Sequence, residues 1–278
     1  MNSFLVRTIA GAVFLALMVC GMLFHPLAFG VLFLVAMYMA MREFLHITLG
    51  ERYVLQQKLA ILSAAVAFIV CMCCCFYGLE VRFLSLALIP LFALALSVVL
   101  SRSHDTVEDV AMPYMSILYV GMPFCLMPLM VSEGGEFDGM RLLVFFIIIW
   151  CSDVGAYSLG TLFGQKPDSR KLAPAISPKK SWWGFWGGIA MAVLGAFILY
   201  LVGWMDYPLV HCLILGALVA VTGVCGDLFE SVWKRRYGFK DSGNCIPGHG
   251  GMLDRFDSVL LVLPFFTAFV QSTAFFEL

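Results

Sequence analysis

Residues 231–257 read SVWKRRYGFKDSGNCIPGHGGMLDRFD, and long apolar segments precede and follow this polar stretch. Its 27 residues include five lysines and arginines, three aspartates, one histidine and five glycines. A turn that merely joins two membrane helices needs polar residues, but it does not need this combination of charges and glycines. The stretch therefore predicts a helical membrane protein in which a polar loop binds a polyphosphate at the membrane surface.

The overall composition also indicates a membrane protein. Hydrophobic residues make up 62% of the chain, charged residues make up 13%, and the mean hydropathy is +0.95, which is far from the soluble globular range. Apolar runs recur at the length of about 20 residues that a helix needs to cross roughly 30 Å of hydrocarbon. We predict an all-α, polytopic integral membrane protein with about nine transmembrane helices. The predicted spans are residues 4–24, 27–45, 59–78, 83–100, 112–131, 142–163, 184–204, 208–229 and 258–276.

The lysines and arginines predict how these spans are oriented. If the connecting segments alternate between the two sides of the membrane, every lysine and arginine except Arg82 and Arg141 falls on one side. Positively charged loops stay on the cytoplasmic side. We therefore expect a cytoplasmic N-terminus, cytoplasmic polar loops that form the active site, and a C-terminus outside. The first span has no cleavage signal, so we expect it to be retained.

The polar motifs divide the chain into two regions. Residues 1–140 form an N-terminal transmembrane region, for which the sequence indicates no role beyond packing. Residues 141–278 carry the motifs described below, and we predict that this transmembrane region is catalytic. Within the first region, residues 42–58 mix apolar and charged side chains, which suits an interfacial helix, a bent connection or a plain cytoplasmic linker.

Asp153, in the motif WCSDVGAYSLG, is an ionisable residue inside a predicted span. It follows Arg141 by about 12 residues, which places it roughly 18 Å into the bilayer at about 1.5 Å per residue. A carboxylate at that depth needs a cation or a proton, and such residues are functional candidates by default. The alternative is a structural aspartate that pairs with a neighbouring helix.

Residues 164–184, GQKPDSRKLAPAISPKKSWWG, form the next predicted cytoplasmic loop. Pro174 and Pro178 exclude a long helix there. Hydrogen-bond donors cluster just before the following span, at Ser177, Lys179, Lys180 and Ser181. The lysines could serve only as a cytoplasmic anchor of the positive-inside kind, but that would not explain the flanking serines.

Acidic residues lie at the ends of the last two spans. In the motif GDLFESVWKRR, a continuous helix would place Asp227, Glu230, Ser231 and Lys234 on one face. Asp254 and Asp257 are spaced to share a face of the final helix. Carboxylates from two helix ends are suitable ligands for Mg²⁺, which binds a few carboxylates together with substrate phosphates. Alternatively, Asp227 forms a structural ion pair with Lys234 or Arg235.

The motif PGHGG, residues 247–251, lies between these helix ends. Gly248, Gly250 and Gly251 permit positive φ angles and let backbone amides approach an anion closely. His249 could donate a hydrogen bond to phosphate or act as an acid or base, although a single loop histidine often does neither. No GxxxxGK[ST], HExxH or GxSxG motif is present, which argues against P-loop ATPases, zinc proteases and serine hydrolases of those types.

Residues 231–257 resemble the signature of the phosphatidate cytidylyltransferases (CDP-diacylglycerol synthases): S-x-x-K-R, then K-D, then P-G-H-G-G-x-x-D-R-x-D. The matching positions are Ser231, Lys234, Arg235, Lys240, Asp241, residues 247–251, Asp254, Arg255 and Asp257. The motifs D-x-x-A-Y at 153–157, S-P-K-K-S at 177–181 and G-D-x-x-E-S at 226–231 are also similar to that family. The resemblance begins near Trp150, and the N-terminal half is similar only in hydropathy. Trp233 stands where the family has Phe or an aliphatic residue, which puts no catalytic assignment in doubt.

The resemblance implies a reaction of CTP with phosphatidate that yields CDP-diacylglycerol and pyrophosphate. It also implies Mg²⁺, a second, monovalent cation such as K⁺, a bacterial inner membrane with its lipids, and a possible homodimer; no nucleic acid is implied as a partner. The implied metal ligands are Asp227 and Asp254. Residues implied to bind CTP or phosphate are Ser177, Ser181, Gly248, Gly250 and Gly251. Implied catalytic residues are Asp153, Lys179, Lys180, Ser231, Lys234, Arg235, Lys240, Asp241, His249, Arg255 and Asp257.

Two other functions remain as alternatives from the sequence. A CTP-dependent lipid kinase of the dolichol kinase type would share the membrane setting but would release CDP instead of pyrophosphate. A transporter would place functional carboxylates at several depths and on both sides, whereas these gather on the predicted cytoplasmic side. The D-G-x-x-A-R signature of CDP-alcohol phosphotransferases is absent.

Overall fold

The computed structural model describes residues 3–101, 106–166, 168–245 and 250–276, with side chains described between residues 8 and 272 of these ranges. The described chain is almost entirely helical and forms two compact units. Unit 1 contains Met1–Gly139 and Tyr237–Phe256, and unit 2 contains Met140–Arg236 and Asp257–Leu278. The polar stretch 231–257 is therefore divided between the two units.

Unit 1 begins with three long helices: α1 (Ser3–Leu23), α2 (Pro26–Leu49) and α3 (Val54–Phe76). A 3-10 turn (Val81–Ala87) leads into α4 (Leu88–Leu100). The next span comprises α5 (Val107–Ser116), a π turn (Ile117–Gly121) and α6 (Met122–Met130). The π turn lies between Pro113 and Pro123, which cannot donate helical hydrogen bonds. A short antiparallel hairpin, β1 (Ser132–Glu133) and β2 (Glu136–Phe137), follows.

Unit 2 contains most of α7 (Gly139–Leu162), a second antiparallel hairpin, and two further long helices. The hairpin strands are β3 (Lys171–Ala173) and β4 (Ser177–Ser181), and the helices are α8 (Trp182–Leu201) and α9 (Leu209–Arg236). The last helix, α10 (Leu253–Phe276), starts in unit 1 and continues in unit 2 from Asp257.

The core of unit 1 is aromatic. Phe33 of α2, Phe124 of α6 and Phe256 of α10 are buried, and their ring centroids lie 5.1 to 6.5 Å apart. Aromatic pairs at such distances stabilise a core beyond the effect of burial alone. Phe256 therefore anchors the end of the 237–256 segment in the N-terminal helices.

The core of unit 2 depends on small residues that let its helices approach closely. Gly155 of α7 and Gly187 of α8 contact one another, and a Cβ added at Gly187 would lie 2.7 Å from the Gly155 carbonyl oxygen. A Cβ at Gly216 of α9 would lie 2.9 Å from the Ala192 carbonyl oxygen of α8. Small residues commonly permit this kind of backbone approach between membrane helices.

The prediction of an all-α polytopic membrane protein is confirmed. Seven described helical segments are long and apolar enough to cross a membrane, and the described part of α1, Thr8–Leu23, is a shorter apolar helix. Each of the nine predicted spans coincides with a helical segment. Some helices extend past the predicted ends, because charged residues also fit in helices outside the apolar run. Residues 42–58 form a bent connection, in which α2 ends at Leu49 and α3 begins at Val54.

Candidate active site

A cavity of about 590 Å³ in unit 2 brings together several of the predicted site residues. We call it the Asp227 cavity. Its predicted residues are Asp153 on α7, Lys179, Lys180 and Ser181 on β4, and Asp227 on α9. Tyr157, Gln165 and Ser258 also line it. The volume is within the range of roughly 300–1,000 Å³ that is usual for small-molecule sites.

The central contact of the Asp227 cavity is an ion pair between the hairpin and α9. Lys180 Nζ lies 2.6 Å from Asp227 Oδ2, and the two side chains are 22% and 35% exposed. Ser231 Oγ donates a hydrogen bond of 3.4 Å to the other oxygen, Asp227 Oδ1. The Lys180 Nζ atom itself is buried beside the carboxylate, so an incoming anion would have to displace Asp227 to reach the lysine.

One turn further along α9, a second ion pair is buried. Lys234 Nζ lies 2.8 Å from Glu230 Oε2, and their side chains are 11% and 1% exposed. Asp227, Glu230, Ser231 and Lys234 thus interact along one helix face, as their spacing predicted. From the sequence, a structural ion pair of Asp227 with Lys234 or Arg235 was the alternative to metal binding. In the structure, Asp227 forms its ion pair with Lys180.

A hairpin presents the two lysines, in a segment for which the sequence predicted a cytoplasmic loop without a long helix. Lys171 pairs with Ser181 and Ala173 pairs with Ser177 across strands β3 and β4. Along β4, Pro178 and Lys179 are exposed, Lys180 is half-buried and Ser181 is buried. Pro174 and Pro178 exclude a long helix here, but they are compatible with the short strands of this hairpin.

Polar contacts hold the hairpin in place within unit 2. Gln165 Nε2 donates a 3.0 Å hydrogen bond to the Lys179 carbonyl oxygen. Arg235 Nε donates a 3.4 Å hydrogen bond to the Ile176 carbonyl oxygen. Ser181 is the N-cap of α8, where its hydroxyl accepts a bond from the Gly184 amide. These contacts restrain the backbone from which Lys179 and Lys180 project.

Three carboxyl groups are near one another in unit 2. Asp153 is exposed to the cavity, and Asp257 lies immediately before the ninth predicted span. Burial raises the pKa of Asp257 to about 7, and the negative charges of Asp227 and Asp153 contribute to this increase. A cation bound among these carboxylates would relieve their mutual repulsion.

Asp254 belongs to a hydrogen-bonded network in unit 1. Its Oδ2 atom accepts bonds from the backbone amides of Ser242 (2.9 Å) and Gly251 (2.8 Å). The Asp254 amide in turn donates to Ser242 Oγ at 3.2 Å. The carboxylate therefore links residues 242 and 251, and it lies in the first turn of α10, where the helix dipole favours negative charge.

Glu43 on α2 completes this network. Its Oε1 atom accepts a 2.9 Å bond from the Met252 amide, and its Oε2 atom accepts 2.8 Å bonds from Ser242 Oγ and the Leu253 amide. We call Glu43, Ser242 and Asp254, with the amides that they bind, the Glu43 network. It ties the first turn of α10 and the polar segment before it to an N-terminal helix.

Two glycines in this segment are required by space or backbone angle. Gly250 has a φ of +81°, which is readily adopted only by glycine. A Cβ at Gly251 would overlap Glu43 Oε2 and Ser242 Oγ. Gly251 had been predicted to offer its amide to a phosphate, and in this structure that amide is bonded to Asp254.

The remaining predicted residues are distributed as follows. Lys240, Asp241 and Arg255 are exposed in unit 1, and Ser177 is paired in the hairpin without lining the cavity. Gly248 and His249 lie outside the described residues. Their predicted roles, like those of the other site residues, remain predictions.

Glu43, Glu230 and Gln165 take part in these networks but were absent from the predicted site. Glu230 was visible in the GDLFES motif, where its spacing to Lys234 indicates an ion pair. Glu43 could have been noticed as a carboxylate within a mainly apolar helix. Its partners follow about 200 residues later, so only the tertiary fold identifies them.

The residues around the Asp227 cavity fit a hard divalent cation that also binds substrate phosphates. Asp153 and Asp227 line the cavity and offer carboxylate oxygens, the type of ligand that Mg²⁺ prefers. Among the described residues, no group of three or more His, Cys, Asp or Glu forms a complete metal site. Asp254, the other predicted ligand, has its oxygen Oδ2 engaged within unit 1.

Comparison with known proteins connects this site to a family. A family model described as "Cytidylyltransferase family" matches residues 5–273. The chain is 40% identical over 185 residues to a phosphatidate cytidylyltransferase of Bacillus subtilis (strain 168), and the alignment covers 66% of each protein. It is 41% identical over 169 residues to a phosphatidate cytidylyltransferase of Staphylococcus aureus (strain COL), with 60% of this chain and 61% of that protein covered. The alignments thus span less than two thirds of these relatives' own length.

Proposed function

Because the chain belongs to the cytidylyltransferase family, we propose that it is an integral membrane enzyme that transfers the cytidylyl group of CTP to phosphatidate. The products are CDP-diacylglycerol and pyrophosphate, and the role is in phospholipid biosynthesis. The observation that carries this proposal is the Asp227 cavity, in which Lys179, Lys180, Asp153 and Asp227 line a space of about 590 Å³. The relatives' names support the choice of substrates.

The reaction requires one bond to form and one to break at the α-phosphorus of CTP. A phosphate oxygen of phosphatidate forms the new bond, and the bond to the oxygen that bridges the α- and β-phosphorus breaks as pyrophosphate leaves. The attacking oxygen is already anionic at neutral pH, so no residue needs to act as a strong general base. Catalysis then depends on positioning and on neutralising charge.

Lysines of the hairpin supply much of that neutralisation in this proposal. Asp227 holds Lys180 at 2.6 Å beside the cavity before substrate binds, and the lysine exchanges this carboxylate for the triphosphate when CTP arrives. Lys179 projects from the same strand, whose backbone is restrained by Gln165. Further electrostatic contacts are proposed for residues of the signature, namely Lys234, Arg235, Lys240 and Arg255.

The proposal retains Mg²⁺, with Asp227 and Asp254 as its predicted ligands. Bound Mg²⁺ supplies neutralisation of the charge that develops on the leaving pyrophosphate. Asp153 is proposed to hold a second cation or a lysine, and Asp257 to orient ligands. The proposal also retains a bacterial inner-membrane location with the site on the cytoplasmic side, and a homodimeric assembly.

The test is product analysis with the purified chain in lipid nanodiscs, supplied with CTP, phosphatidate and Mg²⁺. The expected products are CDP-diacylglycerol and pyrophosphate in equal amounts. Release of CDP with a newly phosphorylated lipid would instead identify a CTP-dependent lipid kinase and overturn the proposal.

Variants of the ion pair test the site itself. Lys180→Met and Asp227→Asn are each expected to lower kcat by about 10²–10³-fold, the usual effect of removing one preorganised electrostatic group. Lys166→Met is the matched control, because Lys166 is an exposed lysine that does not line the cavity. Full activity in either ion-pair variant would contradict this assignment.

A further inference from the structure

In addition to the Asp227 cavity of unit 2, the protein has a cavity of about 890 Å³ in unit 1, between α2, α3 and the segment 242–245. We call it the α2–α3 groove. Every residue that lines it belongs to unit 1, and it shares no lining residue with the Asp227 cavity. The proposed reaction therefore assigns no role to it.

The lining of the groove changes from polar to apolar along its length. Arg42 and His46 of α2 and Lys58 of α3 lie toward the turn that joins the two helices. Tyr38 of α2 and Ala65 of α3 lie further along, together with Met39, Ile61 and Leu62. Tyr38 is roughly 16 Å from the last turn of α2 at about 1.5 Å per residue. The groove thus has a polar end and an apolar end, as an amphiphilic ligand requires.

The apolar end is open to its surroundings. The side chains of Tyr38 and Leu62 are 46% and 50% exposed, and α2 and α3 are both apolar enough to span a membrane. Exposed apolar surface on such helices is expected to face lipid chains.

The polar end carries two cations without an acidic partner. Among the residues whose side chains are described, no carboxylate lies within ion-pair distance of Arg42 or Lys58. Glu43 is directed to the three donors of the Glu43 network, and Glu51 lies 3.7 Å from His46. The cationic groups of Arg42 and Lys58 therefore favour an anion in the groove.

We propose that the α2–α3 groove binds an anionic phospholipid from the surrounding membrane. The headgroup phosphate lies between Arg42 and Lys58, and an acyl chain follows Tyr38, Leu62 and Ala65. Charge-assisted hydrogen bonds from arginine and lysine are the usual means of holding a phosphate. The apolar wall distinguishes a lipid from a soluble phosphate, which would gain nothing from it.

A bound headgroup would also contact the segment that precedes α10. Ser242, Gly243, Asn244 and Cys245 line the groove, and the Ser242 amide donates to Asp254. The lipid is therefore expected to stabilise the Glu43 network when it binds.

The test measures lipid binding and needs no turnover. Native mass spectrometry of the purified full chain, titrated with phosphatidylglycerol, reports the lipid retained; this lipid is not a substrate of the proposed reaction. Replacing Arg42 and Lys58 with alanine should weaken binding about fivefold each and about 30-fold together, as expected for roughly 1 kcal/mol per cation near a membrane surface. The control is the double variant Arg82→Ala with Lys166→Ala, which removes two exposed cations elsewhere and should bind like the parent.

A second variant and two further ligands separate the possible outcomes. Ala65→Phe fills the apolar end and leaves both cations, so it should also weaken lipid binding. Phosphatidylcholine, whose headgroup carries no net charge, should bind more weakly than phosphatidylglycerol in the parent. Equal loss in the control, no effect of Ala65→Phe, or displacement of the lipid by an equimolar amount of inorganic phosphate would each overturn the proposal. None of these results depends on whether the chain transfers a cytidylyl group.

Discussion

Individual carboxylates in this protein have different tasks that depend on what surrounds them. The Asp227 side chain is 35% exposed and holds a lysine at the edge of a cavity, whereas the Glu230 side chain, one turn away, is 1% exposed and neutralises a buried lysine. Removing the partner of a buried charge costs far more than removing the partner of an exposed one. We therefore expect loss of Glu230 to lower the stability of the fold, and loss of Asp227 to alter the candidate active site.

Glu43 is expected to be the most important single side chain for the structure of the segment before α10. Glu43→Ala removes the acceptor of three hydrogen bonds, including those from the amide of Leu253, the first residue of α10, and from the Met252 amide just before it. Hydrogen bonds to a charged group contribute about 1.5–3 kcal/mol each, so losing all three is expected to cost at least about 4 kcal/mol. Glu43→Gln retains one carbonyl oxygen and should lose about half as much. Unfolding of the purified chain in detergent measures both changes.

Glu51→Ala is the matched control for this prediction. Its side chain is 91% exposed and lies on the same connection between α2 and α3. Exposed substitutions of this kind usually change stability by less than about 0.5 kcal/mol. If Glu43→Ala and Glu51→Ala unfold alike, the Glu43 network does not stabilise the fold.

At the scale of elements, the β3–β4 hairpin shows how a polar segment becomes a rigid part of the site. Its strands are short, and such hairpins are marginal alone. It is attached to the turn after α7 by Gln165, to α9 by Arg235 and to α8 by the N-cap Ser181. Lys179 and Lys180 therefore project from an ordered backbone rather than from a mobile loop.

The α7–α8 interface is expected to be sensitive to a single methyl group. Gly187→Ala places a Cβ 2.7 Å from the Gly155 carbonyl oxygen and 2.8 Å from Leu159 Cβ. The backbone cannot move aside without separating the helices, so we expect a loss of about 1–3 kcal/mol, as for overpacked cores. The loss of stability is measured by thermal unfolding of the purified variant in detergent. Gly160→Ala on the same interface is the control, because its Cβ would lie 3.5 Å from the nearest atom, an ordinary contact.

This prediction fails if Gly187→Ala and Gly160→Ala have the same unfolding temperature. That result would mean that α7 and α8 adjust by a few tenths of an ångström at no measurable cost. It would also remove the physical reason for the glycines that we place at the core of unit 2.

For the whole molecule, the orientation in the membrane is a prediction that labelling can test. From the distribution of lysines and arginines, we expect residue 136 to lie outside the cell and residue 168 to lie in the cytoplasm. Cysteines are introduced as Glu136→Cys or Asp168→Cys, with the exposed Cys20, Cys225 and Cys245 replaced by serine. In intact cells, an impermeant maleimide should label only the first variant. After permeabilisation it should label both.

Labelling of Asp168→Cys in intact cells would reverse the predicted orientation. Labelling of both variants in intact cells would place these loops on the same side and would require a different number of crossings between them. Either result would move the Asp227 cavity away from cytoplasmic CTP and would contradict the proposed function.

The sequence predicted the helices well because their signal is local. An apolar run of about 20 residues indicates a membrane helix wherever it occurs, and the α9 face from Asp227 to Lys234 followed from helical spacing alone. The hairpin at 171–181 was missed because its strands contain only three and five residues. So short a pattern does not differ from that of a loop until neighbouring helices hold it.

By itself, the sequence determined the fold class, the positions of the spans and the residue types available for phosphate chemistry. These depend on hydrophobicity and on spacing along one element. Only the tertiary structure decided that Asp227 pairs with Lys180, that Glu43 binds a segment about 200 residues away, and that Arg42 and Lys58 share a groove with apolar walls. Contacts between distant elements depend on how whole helices pack, and no local pattern records that packing. The polar stretch 231–257 accordingly has both kinds of property: its charges were evident at once, and its partners were not.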